Sequence, residues 1–478
     1  MPQATELALP RLPTAPRVPL NRPACPAARD AYFVGLGGAG MQALATVLAG
    51  RHGRVRGSER SAASRQKLRQ LGWQVDADAD HRPLPTDCQL VVYSDAVPHD
   101  HPQRQAARRA GIPQQSYART LGRLMNGRQG MAVAGTHGKS TITAMTAQIL
   151  TNAQKDPSFV CGAGPVAGSQ TGGRSGEGPL LLAEACEYRK NFLQLRPHAA
   201  VVSGIELDHF ETYHSIQQLK NSFAAFVRQI DPQGLLVLPA DCSAARQLRQ
   251  AAGCRVETYG FDERADWRAV RVTTQAGRYA FEIMHRDLLI GRACLQVPGR
   301  HNVLNALAAA ALAGWGKVCV AEIVQGLCQF RGLRRRLQPG GTFCGVHLWD
   351  DFAHHPTEVA AALATLREIH PKSRLCCVFQ PHQASRTARL MHEFARSLQN
   401  ADLVAVASIY RAREGRWRPG EPTAADLAAA VRSYGTPTLP AHTFKEIQRQ
   451  LTCCPGDVLV TLGAGPVWRF HHAFTNRI

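Results

Sequence analysis

The sequence predicts an α/β protein of three domains, each built on a mainly parallel sheet. The chain has 478 residues, which corresponds to about three domains of ordinary size. Short apolar runs begin at Tyr32, Met131 and Leu375, and each leads through a loop into a helical pattern. Such runs are typical of parallel strands buried on both faces. The expected divisions are a leader over residues 1–30 and domains over 31–128, 129–337 and 338–478.

Strand and helix patterns alternate through all three domains, as expected of doubly wound α/β folds. A further element is expected to start near Gln115, after the loop marked by Pro113. The expected strands are 32–34, 54–57, 90–93, 131–134, 180–183, 199–203, 235–238, 375–379, 403–407 and 458–462. The expected helices include 41–48, 141–150 and 358–369.

The composition is that of a soluble globular protein, with 45% apolar and 19% charged residues. The residues before Tyr32 are rich in proline and lack the apolar stretch of a secretory signal, so we expect a disordered leader. The longest apolar run, residues 303–315, is too short to span a bilayer. We therefore expect a cytoplasmic protein without membrane insertion.

The formal charge of +20 allows either nucleic acid or polyphosphate partners. Only 6% of the residues are aromatic and no basic-aromatic recognition motif occurs, so we expect no nucleic-acid partner. The 14 cysteines include no C-x-x-C pair. We expect most of them to be buried, reduced thiols in a reducing compartment.

The segment 135–140 (GTHGKS) carries the most specific chemical signal in the chain. A strand delivers a glycine-bearing loop, and Lys139 and Ser140 open the following helix. Backbone N–H groups of such a turn surround phosphate oxygens, the lysine neutralises the β- and γ-phosphates, and the serine hydroxyl binds Mg²⁺. The segment departs from G-x-x-x-x-G-K-[ST] because Val133 stands where the first glycine belongs. The alternative is an ordinary helix start with an exposed lysine.

A second glycine turn, residues 35–40 (GLGGAG), matches G-x-G-x-x-G after a strand. Glu59 follows nineteen residues after Gly40. This spacing fits NAD binding, in which the acidic residue accepts a hydrogen bond from a ribose hydroxyl. It fits any other diphosphate equally well, so a nicotinamide dehydrogenase stays open as an alternative.

Polar groups follow several of the expected strands. Glu184 and Glu187 end one strand and Asp208 and His209 follow another, which suits Mg²⁺ binding beside a phosphate loop, although each pair alone also fits a surface or capping role. The segment 350–358 (DDFAHHPTE) is expected to present carboxylate and imidazole groups to a phosphorylated substrate, because its two adjacent histidines rarely face one metal ion.

His382 and Arg386 are four residues apart at an expected helix start. On one helix face they would suit a carboxylate or phosphate. A solvated helix start is the plain alternative.

Taken in order, these motifs resemble those of the Mur ligases, from Tyr32 to the C-terminus. Further matching segments are 299–306 (GRHNVLNA), 330–336 (FRGLRRR), 410–414 (YRARE) and 463–465 (GAG). The resemblance implies an N-terminal Rossmann-like UDP-binding domain, a central P-loop mononucleotide-binding ATPase domain and a C-terminal Rossmann-like amino-acid-binding domain. The two glycine turns would then bind different nucleotides.

The resemblance also implies an activity: joining L-alanine to the lactyl carboxylate of UDP-N-acetylmuramate through an acyl phosphate, in peptidoglycan precursor synthesis. ATP and Mg²⁺ are the implied cofactors. Two alternatives stay open, a related ligase that recycles murein peptides and a Mur-type ligase with altered amino-acid specificity. Both a monomer and a homodimer are compatible with the sequence.

The resemblance carries roles onto individual positions. The catalytic candidates are Lys139, His209, His354, His382 and Arg386. The ATP-binding candidates are Gly135, Thr136, His137, Gly138, Lys139, Ser140, Thr141, His301, Asn305, Arg335, Arg336 and Asp351. The substrate-binding candidates are Gly37, Gly38, Ala39, Gly40, Ser58, His382 and Arg386, and the metal candidates are Ser140, Glu187 and His209.

Two segments depart from the usual family pattern. Where Glu-Ala-Asp-Glu-Ser is usual, residues 184–188 read EACEY, which keeps both glutamates. Where His-Arg-Tyr-Ser-Arg is usual, residues 382–386 read HQASR, which removes one cation near the expected amino-acid site. The second departure bears on amino-acid specificity.

Overall fold

The computed structural model describes residues 30–50, 53–77, 83–164, 169–412 and 414–471. Its strands are β1 Ala31–Val34, β2 Arg56–Glu59, β3 Gln74–Ala77, β4 Leu90–Tyr93, β5 Gln114–Ser116, β6 Gln129–Ala134, β7 Ser158–Val160, β8 Gly173–Arg174, β9 Leu180–Glu184, β10 Ala199–Val202, β11 Leu235–Pro239, β12 Arg255–Gly260, β13 Trp267–Gln275, β14 Arg278–His285, β15 Leu288–Pro298, β16 Gln338–Phe343, β17 Val346–Asp351, β18 Leu375–Phe379, β19 Leu403–Val406 and β20 Val458–Leu462.

The helices of the described residues are α1 Ala39–Ala49, α2 Ala62–Gln70, α3 Pro102–Arg109, α4 Tyr117–Asn126, α5 Lys139–Asn152, α6 Ile216–Val227, α7 Ser243–Arg246, α8 Arg300–Trp315, α9 Val320–Gln329, α10 Pro356–Ile369, α11 Ala384–Arg389, α12 Met391–Ser397, α13 Ala424–Ser433 and α14 Phe444–Gln450. The expected leader, apart from Asp30, lies outside the described residues, as does Arg413 of the segment 410–414.

The N-terminal sheet is entirely parallel, with strand order β3-β2-β1-β4-β5. This is the Rossmann order, and its centre is β1, which pairs with β2 and with β4. The glycine turn 35–40 leaves the carboxyl end of β1 and starts α1. The strand expected at 54–57 begins two residues later, at Arg56. That strand is buried at Gly57 and Ser58, two small residues that a search for apolar runs does not find.

The middle sheet has ten strands in the order β15-β14-β13-β12-β11-β10-β6-β9-β7-β8. The strands β12, β11, β10, β6, β9 and β7 run parallel, so the loops after β6, β9 and β10 meet at one edge. The antiparallel strands at the two ends of this sheet, β14 and β15 beside β13 and β8 beside β7, were not predicted from the sequence. Buried positions alternate along β14 with positions that are partly or fully exposed, which is the pattern of a half-buried strand rather than of an apolar run.

The C-terminal sheet has the order β16-β17-β20-β18-β19, with four parallel strands and an antiparallel edge strand, β16. The loops after β17, β20 and β18 therefore share one edge, which faces the loop edge of the middle sheet.

Three helices begin about two residues before their expected starts, at Ala39, Lys139 and Pro356. Their first turns are built from motif residues that carry no helical apolar pattern.

The cysteine prediction is wrong in one respect. Of the 13 cysteines in the described residues, all are free thiols, but only Cys88, Cys161, Cys376 and Cys377 are buried.

Among the helices of the described ranges, none combines the length and the apolar character needed to cross a bilayer.

Candidate active site

The phosphate-binding turn lies between β6 and α5. Gly135 and Gly138 have φ angles of +117° and +77°, a region that favours glycine. A Cβ on Gly135 would lie 2.3 Å from the Ser203 hydroxyl oxygen, so this position has no room for a side chain. The turn is further held by Thr136, whose hydroxyl donates to the Glu206 carbonyl at 3.0 Å. The N–H groups at the start of α5 are therefore presented as a preformed anion site.

Lys139 folds back over this turn. Its Nζ donates to the carbonyl oxygens of Gly135 at 2.6 Å and Thr136 at 3.2 Å, and to Glu187 Oε1 at 3.0 Å. Burial lowers the pKa of Lys139, but Glu187, Cys186 and Glu184 together outweigh burial, and the net pKa lies above its usual range. The ammonium group is therefore charged and lies where the phosphates of a bound nucleotide would require a cation.

A carboxylate and an imidazole meet beside Lys139. His209 Nε2 lies 3.6 Å from Glu187 Oε1, and the Glu187 side chain is only 2% exposed. Burial would raise the pKa of Glu187, but Lys139 and His209 keep it below its usual range. Glu187 Oε2 is buried and has no hydrogen-bond partner among the described residues. A buried anionic oxygen left in this state is a ligand for a cation, so the site fits Mg²⁺, with Ser140 buried in the adjacent first turn of α5.

Glu206 joins the middle and C-terminal domains. Its Oε2 accepts a hydrogen bond from the Thr357 hydroxyl at 2.5 Å and lies 3.4 Å from His137 Nε2 and 3.6 Å from His355 Nδ1. The other ring nitrogen of His137 lies 3.0 Å from Glu358 Oε1. Although burial lowers the pKa of His137, the two glutamates outweigh it and raise the pKa to about 9. The hydrogen bond from His137 lowers the pKa of Glu206 to about 2.

A second cross-domain contact lies next to the first. Arg386 Nη2 and Nε donate to Asp208 Oδ1 at 2.6 and 2.9 Å, and Arg386 Nη1 donates to His382 Nδ1 at 2.8 Å. The Arg386 side chain is 2% exposed and that of Asp208 is 9% exposed. His382 lies before α11 rather than on it, yet it still reaches Arg386. The ring of His354 packs edge-on against His382 at 5.6 Å, and burial lowers the pKa of His354 to about 4, so its ring is neutral at pH 7.

Both domains line a cavity of about 270 Å³. His137, Gly138 and Thr141 form its phosphate-turn end, and His301 and Asn305 of α8 lie along one wall. The residues from the junction and the C-terminal domain are Arg336, Leu337, Asp351, Thr357, Glu358, Ala361 and Ala362. An elongated anionic ligand with a ring at one end and phosphates at the other fits this lining.

The cavity distinguishes two arginines that the sequence left equivalent. Arg336 lines it, whereas Arg335 donates to Asp350 Oδ2 at 3.1 Å and to the Gly463 carbonyl, outside the cavity lining. Burial, opposed by Arg336, raises the pKa of Asp351 to about 6. Both Asp351 oxygens accept backbone N–H groups, one of them from Leu337 at 2.6 Å. Asp351 therefore fixes the chain at the domain junction as well as lining the cavity.

Burial and the nearby Arg336 charge lower the pKa of His301 to about 4, so this ring is neutral and can contact an uncharged base. Asn305 donates to Asn302 Oδ1 at 3.0 Å, which fixes its amide beside Gly138. Both residues are ATP-binding candidates of the sequence, and the structure places them in the wall of the cavity.

The N-terminal glycine turn is held by the acidic residue that follows it. Gly37 N–H donates to Glu59 Oε2 at 2.6 Å, and Glu59 Oε1 accepts from Ser61 N–H at 2.9 Å. Ser58 is fully buried and its hydroxyl donates to Gln103 Oε1 at 2.5 Å. Gly38 and Ala39 are exposed at the start of α1. A Cβ added to Gly38 would meet nothing within 4 Å, so open space remains beside its backbone.

Family models match nearly the whole described chain. The model for "Mur ligase family, catalytic domain" matches residues 30–129, that for "Mur ligase middle domain" matches 133–313, and that for "Mur ligase, glutamate ligase domain" matches 335–465. The chain belongs to the Mur ligase family. The UDP-N-acetylmuramate–L-alanine ligase of Halorhodospira halophila is 40% identical to this Mur ligase over 449 residues, 92% of this chain and 91% of that protein.

Other relatives agree with this assignment. The UDP-N-acetylmuramate–L-alanine ligase of Clostridium novyi is 35% identical over 450 residues, 93% of this chain and 97% of that protein. Among solved structures, the UDP-N-acetylmuramate–alanine ligase MurC of Thermotoga maritima matches with a TM-score of 0.77 at 25% identity, covering 94% of this chain and 98% of that chain. The three-domain α/β fold of this Mur ligase is thereby confirmed.

The structure brings most of the candidate residues of this Mur ligase together in three places: the phosphate turn with Glu187 and His209, the junction cavity, and the Arg386 cluster. Two candidates lie outside these places: Arg335 donates to Asp350, and the Ser58 hydroxyl donates to Gln103. Glu206 was not among the candidates predicted from the sequence, and Asp208 was considered only as a metal ligand or as a surface or capping group. Both follow the carboxyl end of β10, the strand that pairs with β6, and this strand order is the signal that would have selected them.

Proposed function

We propose that this Mur ligase joins L-alanine to the lactyl carboxylate of UDP-N-acetylmuramate, with ATP, in peptidoglycan precursor synthesis. The observation that carries the proposal is the junction cavity, which has His137 and Gly138 of the phosphate turn at one end and Glu358, Thr357 and Arg336 of the opposing side along its walls. The relatives at 33–40% identity over most of the chain support the same activity.

The reaction explains why one site needs so many fixed cations. A carboxylate is a poor electrophile, so one of its oxygens first takes the γ-phosphoryl group of ATP, which leaves ADP. The amine then attacks the acyl phosphate, and the tetrahedral intermediate releases phosphate to leave the amide. Negative charge develops at the transferred phosphoryl group and then at the carbonyl oxygen, and preorganised donors stabilise both. Lys139 and the N–H groups of the turn supply the first stabilisation in this proposal.

We assign Mg²⁺ to the cluster of Glu187 and His209, with Ser140 as the expected hydroxyl ligand. The unpartnered Oε2 of Glu187 supports this assignment. When bound, the ion would neutralise phosphate charge. The role of the protein is to hold the carboxylate and the imidazole in place and to keep Lys139 within reach of the same phosphates.

We assign adenine to His301 and Asn305, with Arg336 and Asp351 serving the nucleotide from the domain junction. We assign Arg335 to holding the junction instead, because it donates to Asp350 and to the Gly463 carbonyl. The UDP diphosphate is assigned to Gly37, Gly38, Ala39 and Gly40. In this proposal, the buried Ser58 stabilises β2 from within the core of the N-terminal domain. His354, His382 and Arg386 are assigned to the place where the amino acid meets the acyl phosphate.

Further properties belong to the same proposal. We place the domain boundaries near residues 128 and 337, because each of the three sheets is complete within the resulting segments. The +20 charge suits UDP-N-acetylmuramate and ATP, which are both multiply anionic. The substrates are cytoplasmic metabolites, so we propose a cytoplasmic enzyme, active as a monomer or a homodimer.

Phosphate release tests the proposal when it is measured across substrates. With ATP, Mg²⁺ and UDP-N-acetylmuramate, release should require an amino acid, and L-alanine should give a higher kcat/KM than glycine or L-serine. The tripeptide L-alanyl-γ-D-glutamyl-meso-diaminopimelate should not replace L-alanine. Phosphate release that needs neither the sugar nucleotide nor the amino acid would contradict the proposal, and a preference for the tripeptide would indicate the recycling ligase instead.

A further inference from the structure

Cys186 lies two residues after the end of β9, beside the residues that we assign to Mg²⁺. Its Sγ, a carboxylate oxygen of Glu187 and a ring nitrogen of His209 all lie within 4.8 Å of one another. Cys186 is only partly buried, as is His209. Mur ligases usually have aspartate at this position. This chain therefore places a thiol where an oxygen donor is usual.

Cys186 adds to the Glu187 and His209 pair a sulfur donor that Mg²⁺ does not use. Mg²⁺ prefers oxygen ligands, whereas sulfur, imidazole and carboxylate together are the donors of Zn²⁺. The unpartnered Oε2 of Glu187, on a side chain only 2% exposed, independently indicates that a cation completes this cluster.

We propose that Cys186, Glu187 and His209 form a site for a thiophilic divalent cation, Zn²⁺, which competes there with Mg²⁺. The inference rests on the proposed function only for its consequence, which is inhibition of ligation by Zn²⁺. Binding itself requires no substrate. The thiol gives up its proton to solvent when the metal binds, and a solvent molecule completes the four-coordinate shell.

The ammonium group of Lys139 competes with this cation for the Glu187 carboxylate. The ammonium group donates to Glu187 Oε1 at 3.0 Å, so the metal must bind through Oε2 close to a fixed positive charge. Removing that charge should strengthen metal binding. Lys139→Met, which keeps most of the side-chain length, should therefore raise the affinity for a divalent cation by at least about tenfold.

Co²⁺ titration of the nucleotide-free protein tests the site directly, because Co²⁺ bound by a thiolate gives a near-ultraviolet charge-transfer band. The wild-type chain should show this band at one Co²⁺ per chain, and Zn²⁺ should abolish it while excess Mg²⁺ does not. Cys186→Ser should lose the band and at least about tenfold in Co²⁺ affinity. Cys186→Asp should also lose the band but keep Mg²⁺-dependent ligation and resist Zn²⁺ inhibition.

The chain offers a matched control. Cys376, Cys453 and Asp457 form another cluster with ligand atoms within 4.8 Å, in the C-terminal domain. Cys453→Ser should leave the band unchanged. A band that survives Cys186→Ser and disappears in Cys453→Ser would overturn the proposal, as would a wild-type chain without any band. Circular dichroism confirms that each variant is folded. If the band is absent while L-alanine ligation proceeds normally, only this inference fails and the proposed function stands.

Discussion

The two glycine turns of this chain start from the same local design and end in different surroundings. Each follows a strand that has parallel neighbours on both sides, and each opens a helix, α1 in the N-terminal domain and α5 in the middle domain. The N-terminal turn is held within its own domain, by Glu59, and leaves open space beside Gly38. The phosphate turn is instead contacted by a second domain, through His137 and Glu358.

This difference separates binding from chemistry. A turn that is held within one domain and exposed to solvent can bind a diphosphate without any rearrangement of the other domains. A turn whose residues contact an opposing domain has its full set of charges only when the two domains are closed. We therefore expect substitutions at the N-terminal turn to affect substrate affinity, and substitutions at the phosphate turn and its cross-domain contacts to affect turnover and domain closure.

The largest effect is expected from Lys139→Ala. The variant loses the cation that we assign to the transferred phosphoryl group, so kcat should fall by about a hundredfold to a thousandfold, as for other preorganised transition-state donors. Steady-state phosphate release measures the effect, and Lys445→Ala, at an exposed position of α14, is the control. A Lys139→Ala enzyme that keeps wild-type kcat would remove the phosphate turn from the mechanism.

The next largest effect is expected from Asp208→Asn. This substitution leaves the buried Arg386 guanidinium without its counter-charge. Removing one partner of a buried ion pair lowers the free energy of unfolding by about 3 kcal/mol. Because the pair joins two domains, separation of these domains would expose the unpaired guanidinium to water and relieve this cost. Small-angle scattering would detect the separation as a larger radius of gyration. Asp262→Asn, in an exposed pair with Arg264 within one domain, should leave the radius unchanged. An unchanged radius in Asp208→Asn would show that this pair does not hold the domains together.

A pH dependence is expected from His137. Its pKa of about 9 lies above the value of about 6.5 for an unfolded imidazole, so the protonated ring contributes its full stabilisation below about pH 6.5. That contribution is lost as the pH rises through about 9. The free energy of unfolding should therefore fall over this interval, and urea titrations at several pH values measure it.

Glu206→Gln should flatten this pH dependence, because it removes one of the two carboxylates that hold the proton on His137. Glu211→Gln, at an exposed position close by in the same loop, should keep it. An equally steep dependence in Glu206→Gln would mean that another group titrates.

The smallest effects are expected at the N-terminal turn, where two adjacent glycines give a matched pair. A Cβ at Gly37 would lie 2.4 Å from Glu59 Oε2, whereas a Cβ at Gly38 would meet nothing within 4 Å. Gly37→Ala should therefore lower the melting temperature. Gly38→Ala should leave it unchanged while raising the KM for UDP-N-acetylmuramate by about tenfold, the equivalent of one lost hydrogen bond. An unchanged KM in Gly38→Ala would place the diphosphate elsewhere.

The sequence predicted the parts of this site that are local. The strands β6, β9 and β10 and the segment 135–140 were found because an apolar run followed by a motif is visible within ten residues. The pairing of Asp208 with Arg386, which are 178 positions apart, depends on how two domains meet and leaves no local pattern. For the same reason Arg335 and Arg336 were indistinguishable until the cavity showed which one lines it.

The most direct test of the account is the fate of a labelled oxygen. UDP-N-acetylmuramate carrying ¹⁸O in its lactyl carboxylate is incubated with ATP, L-alanine and the enzyme, and the released phosphate is analysed by mass spectrometry. If the carboxylate is activated by the γ-phosphoryl group held at Lys139, each phosphate should carry one ¹⁸O from the carboxylate, and ADP should be the nucleotide product. Unlabelled phosphate, or the formation of AMP and pyrophosphate, would contradict the account.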